Sequence, residues 1–508
     1  MTLLATAEFG FPLWLRATHL INFFLIVLLI RSGWQIIATH PRFYWRNDCG
    51  PGTEWIKFTK RVVPPEEGAY TAHDDESEPP SWLTLPGGRN PGLGRHWHGL
   101  ITALWVLNGL VYVTLLFATG NWRRIVPTSG DVFPQAWESL KIYAGFGIPD
   151  IEHFNPYDPL QSLMYFVVVF VAAPLMMLTG PCMSPAVIGQ YPWLPKLFGG
   201  RQAARSIHFL GMAFLTFFIV MHVSLVFLVH RPHNVTNMVF GGYDPARVAQ
   251  ATTVMLIVIL VSVVAWIAIS YLSLVDKRRT QIFLNHLTEP LRKHTINKMQ
   301  SRTRRLGTYS EKDISPYHWT NGRYPTPQES PEWTRLAQDD FADYVLEIKG
   351  TNTVMVAFEQ IKALPQQTQI SLHACMQGWT GIAKWTGPKV MDLMALSGPP
   401  PAGAKYLLVT SFGLAQHMHD HRPLEPFYSC IPIDACREDE SIFAWEMNDK
   451  PLPYTFGAPL RIRIESYVGY KMVKYIRSLE WVDDYRRYGD GMGGTREDSG
   501  YQLINARI

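Results

Sequence analysis

The sequence predicts a membrane all-α domain of five helices followed by a soluble domain of the α+β class. Five apolar stretches approach the ~20 residues needed to cross a bilayer core, and all of them lie in the first 275 residues. From about residue 341 the pattern changes to short β-like runs such as "DYVLEIKG" and "KYLLVTSF", separated by Pro- and Gly-rich turns. The net charge of +4 over 508 residues is too balanced to indicate nucleic-acid binding.

The predicted spans are roughly 14–37, 97–118, 160–180, 206–229 and 252–275. Pro174 falls inside the third span, where neighbouring helices can satisfy the backbone carbonyl that a proline leaves unpaired. Trp and Tyr residues stand near several span ends, as an interfacial belt requires. We therefore assign residues 1–275 to a transmembrane domain.

Four histidines lie inside the predicted spans, where a polar ring is costly unless it has a partner. His208 and His222 are 14 residues apart in the fourth span, which returns the chain to nearly the same helix face about 21 Å further along the axis. Spans two and four run in the same direction, so His98 shares a leaflet with His208. The first span runs in the opposite direction, so His19 shares the other leaflet with His222.

This arrangement predicts two bis-histidine sites, one in each leaflet. Two axial imidazoles close a haem iron to substrate and favour electron transfer, so two stacked sites suit electron transfer across a bilayer. The alternative is that the rings only form hydrogen bonds between helices.

Segments such as "RATHLINFFLIVLLIRSGW" and "RSIHFLGMAFLTFFIVMHVSLVF" closely resemble the bacterial cytochrome b561 family, which includes the cytochrome b subunits of nickel-iron hydrogenases and formate dehydrogenases. The resemblance covers residues ~12–275, and its four haem-ligand histidines fall on the four named above. It implies electron exchange between a catalytic part and the quinone pool. Three further histidines could serve a quinone or proton path, or be plain interfacial residues: His96, His230 and His233.

Two clusters in the C-terminal half indicate chemistry. In "SLHACMQGWTGIAKWTG", Cys375 ends an apolar strand, and its thiolate could meet a soft metal, although an isolated cysteine also serves as inert packing. In "FGAPLRIRIESYVGYKMVKYIRSLEW", Arg461, Lys471 and Lys474 surround a Gly-containing turn. They could cradle a phosphate or could simply form a solvated face.

In this order the two clusters resemble the sulfite oxidase family of molybdopterin enzymes, and in particular its bacterial methionine-sulfoxide-reductase-like branch. The resemblance covers residues ~315–485 and implies one pterin–molybdenum centre with Cys375 as the protein thiolate on the metal. By position, the residues that match the pterin-binding positions are Asn321, Tyr324, Thr410, Arg461, Met472, Val473 and Lys474.

The chain departs from that family's pattern in three places. Phe456 stands where the family usually has Asn or His, so one pterin contact is expected to be lost or replaced. No basic residue follows Cys375 closely, and a pocket without that charge should bind sulfite poorly. The insert "QHMHDHRPLEPFYSC" puts His417, His419 and His421 on one side of a possible strand, so that it would either bind a second metal or shape the substrate entrance.

Residues 276–315 are strongly basic and predict either an amphipathic helix on anionic lipid or a solvated linker. One side of the membrane receives six Lys and Arg residues, and the side of the C-terminal domain receives nineteen. This bias, with no twin-arginine motif before the first apolar run, predicts a catalytic domain on the cytoplasmic face of a bacterial inner membrane. The family resemblance favours the periplasmic alternative, since related cytochrome subunits usually start in the cytoplasm.

The sequence thus predicts a membrane all-α five-helix di-haem cytochrome b domain (1–275), a basic linker (276–315) and a soluble α+β sulfite-oxidase-like molybdopterin domain (316–508). The expected cofactors are two haem b groups and molybdenum–molybdopterin. The expected partners are lipid, quinone or quinol and a small-molecule substrate, with a homo-oligomer as a further option. The expected reaction is reduction of an S-oxide or N-oxide. The alternatives are oxidation of a small sulfur compound, or a non-catalytic electron relay or redox sensor without molybdenum.

Overall fold

The computed structural model describes residues 10–64, 70–145, 147, 157–294, 308–415, 425–499 and 501. These residues form two compact units. The membrane unit comprises the described residues of Met1–Gly33, Trp97–Pro181 and Ile207–Leu272. The sheet unit comprises those of Trp34–His96, Cys182–Ser206 and Ser273–Ile508. The sheet unit therefore takes in two segments that the sequence analysis counts as loops between spans.

The α-helices of the described residues are α1 (Leu13–Ile37), α2 (Pro91–Ala118), α3 (Val132–Ala144), α4 (Pro159–Phe166), α5 (Ala173–Thr179), α6 (Pro185–Gln190), α7 (Arg201–Leu228), α8 (Arg231–Phe240), α9 (Val248–Val275), α10 (Lys277–His294), α11 (Pro331–Gln338), α12 (Phe358–Ala363), α13 (Val390–Met394), α14 (Ile433–Cys436) and α15 (Thr495–Asp498).

Among the described residues, five helical stretches are long and apolar enough to cross a membrane, which confirms the predicted number of spans. They are Leu13–Ile37, Pro91–Ala118, Pro159–Met183, Arg201–Leu228 and Pro245–Val275. Several begin earlier than the apolar pattern predicts, because their first turns are helical but polar. Large apolar side chains on these helices are exposed, which is the surface expected of helices that face lipid.

The third span contains a π-helical turn at Val167–Ala172, between α4 and α5. Pro174 lies just after this turn and has no backbone N–H to donate. Widened turns are a common way for a helix to absorb such an irregularity. The structure thus accommodates Pro174 within the span itself.

The β-strands are β1 (Arg42–Phe43), β2 (Ile56–Lys57), β3 (Val345–Lys349), β4 (Thr353–Ala357), β5 (Gln366–Ala374), β6 (Thr380–Pro388), β7 (Tyr406–Leu414), β8 (Pro426–Pro432), β9 (Ile442–Ala444), β10 (Glu446–Met447), β11 (Lys450–Pro451), β12 (Arg461–Arg463) and β13 (Ile476–Val482). All of them belong to the sheet unit.

The largest sheet of the sheet unit has the strand order β4-β3-β13-β7-β8. Its neighbouring strands are antiparallel except for β3 and β13, which are parallel. The alternation in "VLEIK" turns Leu346 and Ile348 to the core, where both are fully buried. Helices and strands share this one unit, so the α+β class is confirmed.

A second sheet, with the order β11-β10-β6-β5, contains the hairpin that carries Cys375. Strands β5 and β6 pair in register from Gln366↔Pro388 to Ala374↔Thr380. The loop between them spans residues 375–379, and Gly378 in this loop has φ +118°, a value that L side chains rarely adopt. The hairpin therefore fixes both ends of the loop that begins with Cys375.

Part of the basic segment 276–315 forms α10. This helix buries Gln281, Leu284 and Asn285 in the sheet unit, while Phe283 and Leu287 are exposed. The Gln281 amide donates to the carbonyls of Glu497 and Tyr501. Lys277–His294 thus forms a packed amphipathic helix and not a solvated linker, and residues 295–307 lie outside the described part of the chain.

Candidate functional site

The four intramembrane histidines form two pairs in the membrane unit, as the leaflet argument predicts. The ring centroids of His19 and His222 are 6.0 Å apart, and those of His98 and His208 are 6.5 Å apart. Two metal–nitrogen bonds of about 2 Å together with the two ring radii require a centroid separation on the order of 6 Å. Both pairs therefore fit a metal held between two imidazoles.

Hydroxyl groups determine the tautomer of two of these rings. The Thr179 hydroxyl donates to the carbonyl of Leu175, so it accepts the hydrogen bond from His208 Nδ1 (2.9 Å). The Ser32 hydroxyl likewise donates to the carbonyl of Leu29 and accepts from His98 Nδ1 (2.8 Å). The proton of each ring is then on Nδ1, which leaves the Nε2 lone pair for a metal.

Sequence reasoning missed Ser32 and Thr179, although Ser and Thr within a span often donate to a carbonyl three or four residues earlier. On the other pair, His222 Nδ1 lies 3.4 Å from the Tyr165 hydroxyl.

Two of the extra histidines lie in the membrane unit away from these pairs. His230 Nε2 is 3.0 Å from the Tyr143 hydroxyl, which donates to the Asp158 carboxylate over 2.7 Å. The His233 ring stacks on Tyr243 at 3.8 Å. The cluster around Tyr143 is thus a connected set of exchangeable protons, which keeps the expectation of a proton or quinone path open.

A cavity in the sheet unit gathers most of the residues that the sequence predicts for the pterin site. Cys375 lines it, together with Asn321, Arg461, Met472, Val473 and Lys474. Two predicted residues are not part of its wall. Tyr324 is exposed and stacks on Trp333 at 5.6 Å, and Thr410 lies in β7 paired with Ser478 and Tyr428.

The Cys375 side chain is buried, at 2% exposure, and its sulfur accepts two hydrogen bonds. Asn321 Nδ2 donates to Sγ over 3.1 Å, and the backbone N–H of Gln377 donates over 3.3 Å. Burial raises the pKa of the Cys375 thiol, while these two donors lower it. The sulfur is therefore held in one orientation by groups that favour its thiolate form.

Two cations in the cavity wall, one buried and one half-buried, have no carboxylate within hydrogen-bond distance among the described residues. Arg461 donates to the carbonyl of Phe456, and Lys474 donates to Thr320, Gly322 and Thr455. Burial lowers the pKa of Arg461 to about 9 and lowers that of Lys474 well below its ordinary value. An anionic group in the cavity would offset the cost of burying both charges.

Three buried polar atoms of the cavity wall have no hydrogen-bond partner within the described part of the protein. They are Asn321 Oδ1, His318 Nε2 and Arg461 Nε. Together with the two cations and the thiol, these atoms form a donor set suited to a phosphate-bearing ligand that carries a soft metal. The residues present therefore fit a molybdenum–molybdopterin group.

His318 and His373 line the same cavity and were missed by sequence reasoning. The His318 ring meets Phe456 edge-on at 5.5 Å, beside the position where the related family usually has Asn or His. The position of His318, shortly before the motif "NGRYP" in the sequence, could have pointed to it. The unpartnered Nε2 of His318 can replace the contact that Phe456 does not provide.

One expectation about charge is wrong. No basic residue follows Cys375 closely in sequence, but the cavity is not short of positive charge, because Arg461, Lys474 and Arg496 line it. These residues come from distant parts of the chain that only the fold brings together. Poor binding of sulfite therefore does not follow from the sequence around Cys375. The insert histidines His417, His419 and His421 lie outside the described residues.

Within the sheet unit, the first residues of α7 donate hydrogen bonds to the loop that follows β5. Arg201 donates to the carbonyls of Cys375, Gly378 and Trp379 over 2.9 to 3.2 Å. Gln202 Nε2 also donates to the Gly378 carbonyl, over 2.8 Å. The segment before the fourth span is thereby part of the support of Cys375.

Two family models match the chain. Residues 10–241 match the model of prokaryotic cytochrome b561, and residues 333–488 match that of the oxidoreductase molybdopterin binding domain. Both sequence resemblances are thereby confirmed. The chain is a multi-pass membrane protein that joins a haem b cytochrome to a molybdopterin oxidoreductase domain.

Curated relatives each match part of the chain. A protein of Azospira oryzae, provisionally named protein-methionine-sulfoxide reductase subunit YedZ1, is 29% identical over 43% of this chain and 91% of its own length. Mitochondrial sulfite oxidase of Drosophila melanogaster is 25% identical over 35% of this chain. Protein-methionine-sulfoxide reductase catalytic subunit MsrP of Xanthomonas axonopodis pv. citri is 27% identical over 25% of it. The chain spans 32% and 39% of the lengths of these last two relatives.

Proposed function

We propose that this cytochrome b561–molybdopterin oxidoreductase reduces an S-oxide or N-oxide with electrons that quinol delivers through two b haems. The observation that carries the proposal is the cavity in which the buried Cys375 sulfur faces the unpaired cations Arg461 and Lys474. The resemblance to methionine-sulfoxide reductases supports the direction of the reaction. Two electrons and two protons convert an S-oxide to the sulfide and water, and oxidation of quinol to quinone supplies both.

In this proposal, Cys375 binds the metal through Sγ, and Arg461 and Lys474 hold the pterin phosphate. A molybdenum–molybdopterin group, when bound, supplies two-electron oxygen-atom transfer. Asn321 and the backbone N–H of Gln377 donate to the sulfur and withdraw electron density from it, which tunes the reduction potential of the centre. The buried wall around the sulfur limits the access of water.

The two histidine pairs are proposed as axial ligands of two b haems, His19 with His222 and His98 with His208. Their separations of 6.0 and 6.5 Å support one iron in each pair. A haem held by two histidines would supply electron transfer and would leave no position on its iron for substrate.

A second candidate function is the oxidation of a small anionic sulfur compound, with quinone as the acceptor. It is favoured by Arg496, a cation of the cavity wall that has no carboxylate within salt-bridge distance among the described residues, and by the similarity to a mitochondrial sulfite oxidase. A third possibility, an electron relay or sensor without molybdenum, would leave Arg461 and Lys474 without a counter-charge.

The catalytic domain is proposed to face the cytoplasm of a bacterial inner membrane, with the periplasm as the alternative. The excess of Lys and Arg on the side of the C-terminal domain supports a cytoplasmic location less strongly than the count of these residues indicates. Arg42, Arg201 and Arg205 are counted on that side, but all three are buried in the sheet unit and do not face lipid headgroups. Fusions of alkaline phosphatase and of a fluorescent protein to the C-terminus distinguish the two sides.

The deciding experiment measures molybdenum and haem on one detergent-purified sample of the protein and of Cys375→Ala. We expect about two b haems and about one molybdenum per chain, with molybdenum lost or its spectroscopic signal changed in the variant and the haem spectrum retained. Quinol-reduced protein is then mixed with S-oxides and N-oxides, and haem re-oxidation is followed. Two haems without molybdenum, from a molybdate-replete host, would refute the enzyme function and leave an electron relay.

A further inference from the structure

The segment between the first two spans contributes a side chain to the cavity that contains Cys375. His73 lines this cavity, and so does Arg496 from α15. Both belong to the sheet unit. Neither lies within residues 333–488, which match the molybdopterin binding domain. This part of the wall therefore comes from residues outside the matched domain.

A chain of hydrogen bonds leads from the sulfur of Cys375 to this part of the wall. The backbone N–H of Gln377 donates to Sγ, and the Gln377 side-chain amide donates to the Glu76 carboxylate. The same carboxylate oxygen of Glu76 is 3.1 Å from His73 Nδ1. His73 Nε2 is 3.0 Å from Nη2 of Arg496.

The partners of His73 determine which of its nitrogens carries the proton. A guanidinium can only donate, so Nε2 of His73 accepts from Arg496. The proton is then on Nδ1 and is donated to Glu76. His73 is thus a neutral ring whose two hydrogen bonds fix the direction in which the Arg496 guanidinium points.

Arg496 has no carboxylate within salt-bridge distance among the described residues. Its guanidinium lies 5.9 Å from the ring centroid of Phe427 and 5.7 Å from that of Tyr501, and both rings line the cavity. A guanidinium that is oriented by a histidine, flanked by aromatic rings and without a direct salt bridge among the described residues can bind an anion through its planar fork.

We propose that Arg496, positioned by His73 and Glu76, is the anion-binding end of the substrate cavity. It selects substrates that carry an oxyanion group, such as a carboxylate or sulfonate, beside the group that reacts. The inference rests on the proposed function in so far as it names a substrate class. Arg496 takes the place of the cation that is missing after Cys375, and the loop between the spans holds it there.

The test uses inorganic sulfate as the probe and the purified holoenzyme in detergent, with calorimetric titration as the readout. Arg496→Gln is expected to weaken sulfate binding by about 10- to 100-fold, the effect of losing a charge-assisted contact. His73→Gln is expected to weaken it less and, in turnover, to raise KM for an anionic S-oxide while kcat changes little. The matched control Arg486→Gln removes an exposed arginine that pairs with Asp484 and is expected to leave binding unchanged.

Unchanged sulfate affinity in Arg496→Gln, with molybdenum and haem retained, would overturn the proposal. If that variant does not fold, the unaltered protein is treated with phenylglyoxal instead. The modified arginines are then mapped by mass spectrometry, with and without sulfate. Sulfate is expected to protect Arg496, and lack of protection overturns the proposal. Sulfate binding needs no turnover, so an Arg496-dependent affinity without any S-oxide reduction would refute only the proposed function.

Discussion

The Arg201 guanidinium donates a hydrogen bond over 3.2 Å to the carbonyl oxygen of Cys375, the proposed metal ligand. Arg201 is buried and opens α7, whose first turn belongs to the sheet unit. It also binds the carbonyls of Gly378 and Trp379, so a single side chain fixes both ends of the loop between β5 and β6. The residues before the fourth span therefore have a structural role in the catalytic half, beyond connecting two spans.

Arg201→Gln is expected to destabilise this loop and to reduce molybdenum retention. Each hydrogen bond to a charged group contributes about 1.5–3 kcal/mol, and glutamine can replace at most one of the bonds to this loop. Thermal unfolding and molybdenum content of the purified variant give the result. Arg201→Lys should retain more metal than Arg201→Gln, and Arg279→Gln, which alters an exposed arginine, should behave as the unaltered protein. Full metal content in Arg201→Gln would show that the loop does not depend on this side chain.

Arg461→Gln and Lys474→Gln are each expected to lower the molybdenum content while the haem content stays the same. Arg461 is buried, Lys474 is half-buried, and neither has a carboxylate within hydrogen-bond distance among the described residues, so we expect the ligand to supply their counter-charge. Elemental analysis with the haem spectrum as internal reference measures the effect. Lys450→Gln removes an exposed lysine of the same unit and serves as the control. Equal molybdenum content in all three variants would contradict the proposal that Arg461 and Lys474 hold the pterin phosphate.

The sequence predicted most of the fold because each prediction rested on local periodicity. The β-like runs "DYVLEIKG" and "KYLLVTSF" contain β3 and β7, and the five apolar stretches form five spans among the described residues. Strand β6 was not predicted, because "TGIAKWTGP" combines glycines with bulky residues and shows its alternation only when paired with β5. Its position as the second strand of the hairpin is set by tertiary pairing.

The candidate site was predictable only where a motif marked it. Cys375, Arg461 and Lys474 stand in recognisable motifs and line one cavity. His73 and Arg496 are more than 400 residues apart, at 423 positions, and neither stands in a motif, so no local pattern connects them. Only the packing of the loop between the spans into the sheet unit brings them together.

His208→Ala is expected to remove one of the two b haems and to leave the other. The pairs His98–His208 and His19–His222 share no residue, so the reduced-minus-oxidised absorbance should fall by about half. Thr179→Val is expected to keep that haem but to shift its potential, because the valine cannot accept the proton of His208 Nδ1. Val264→Ala alters an exposed apolar residue of α9 and serves as the control. Loss of both haems or of neither in His208→Ala would contradict the pairing.

His40 is expected to make the sheet unit sensitive to acid. Its ring is fully buried, and neither ring nitrogen has a hydrogen-bond partner within the described residues, although Nδ1 is 3.7 Å from the Asp75 carboxylate. Burial is the main cause that lowers the pKa of His40 well below 6.5, and Arg205 and Arg42 lower it further. The folded state therefore favours the neutral ring.

Because the pKa is lower in the folded than in the unfolded state, the contribution of His40 to stability is complete above pH 6.5 and is lost as the pH falls towards the folded pKa. The loss of stability is about 1.4 kcal/mol for each pH unit between 6.5 and the folded pKa. Thermal unfolding in detergent at about pH 7.5 and about pH 5.5 compares the unaltered protein with His40→Phe, which keeps an aromatic ring beside Tyr44 and Trp319. The unfolding temperature of His40→Phe should fall less on acidification than that of the unaltered protein, whereas His286→Gln, an exposed control, should follow the unaltered protein. Parallel profiles for the unaltered protein and His40→Phe would show that His40 does not carry this acid sensitivity.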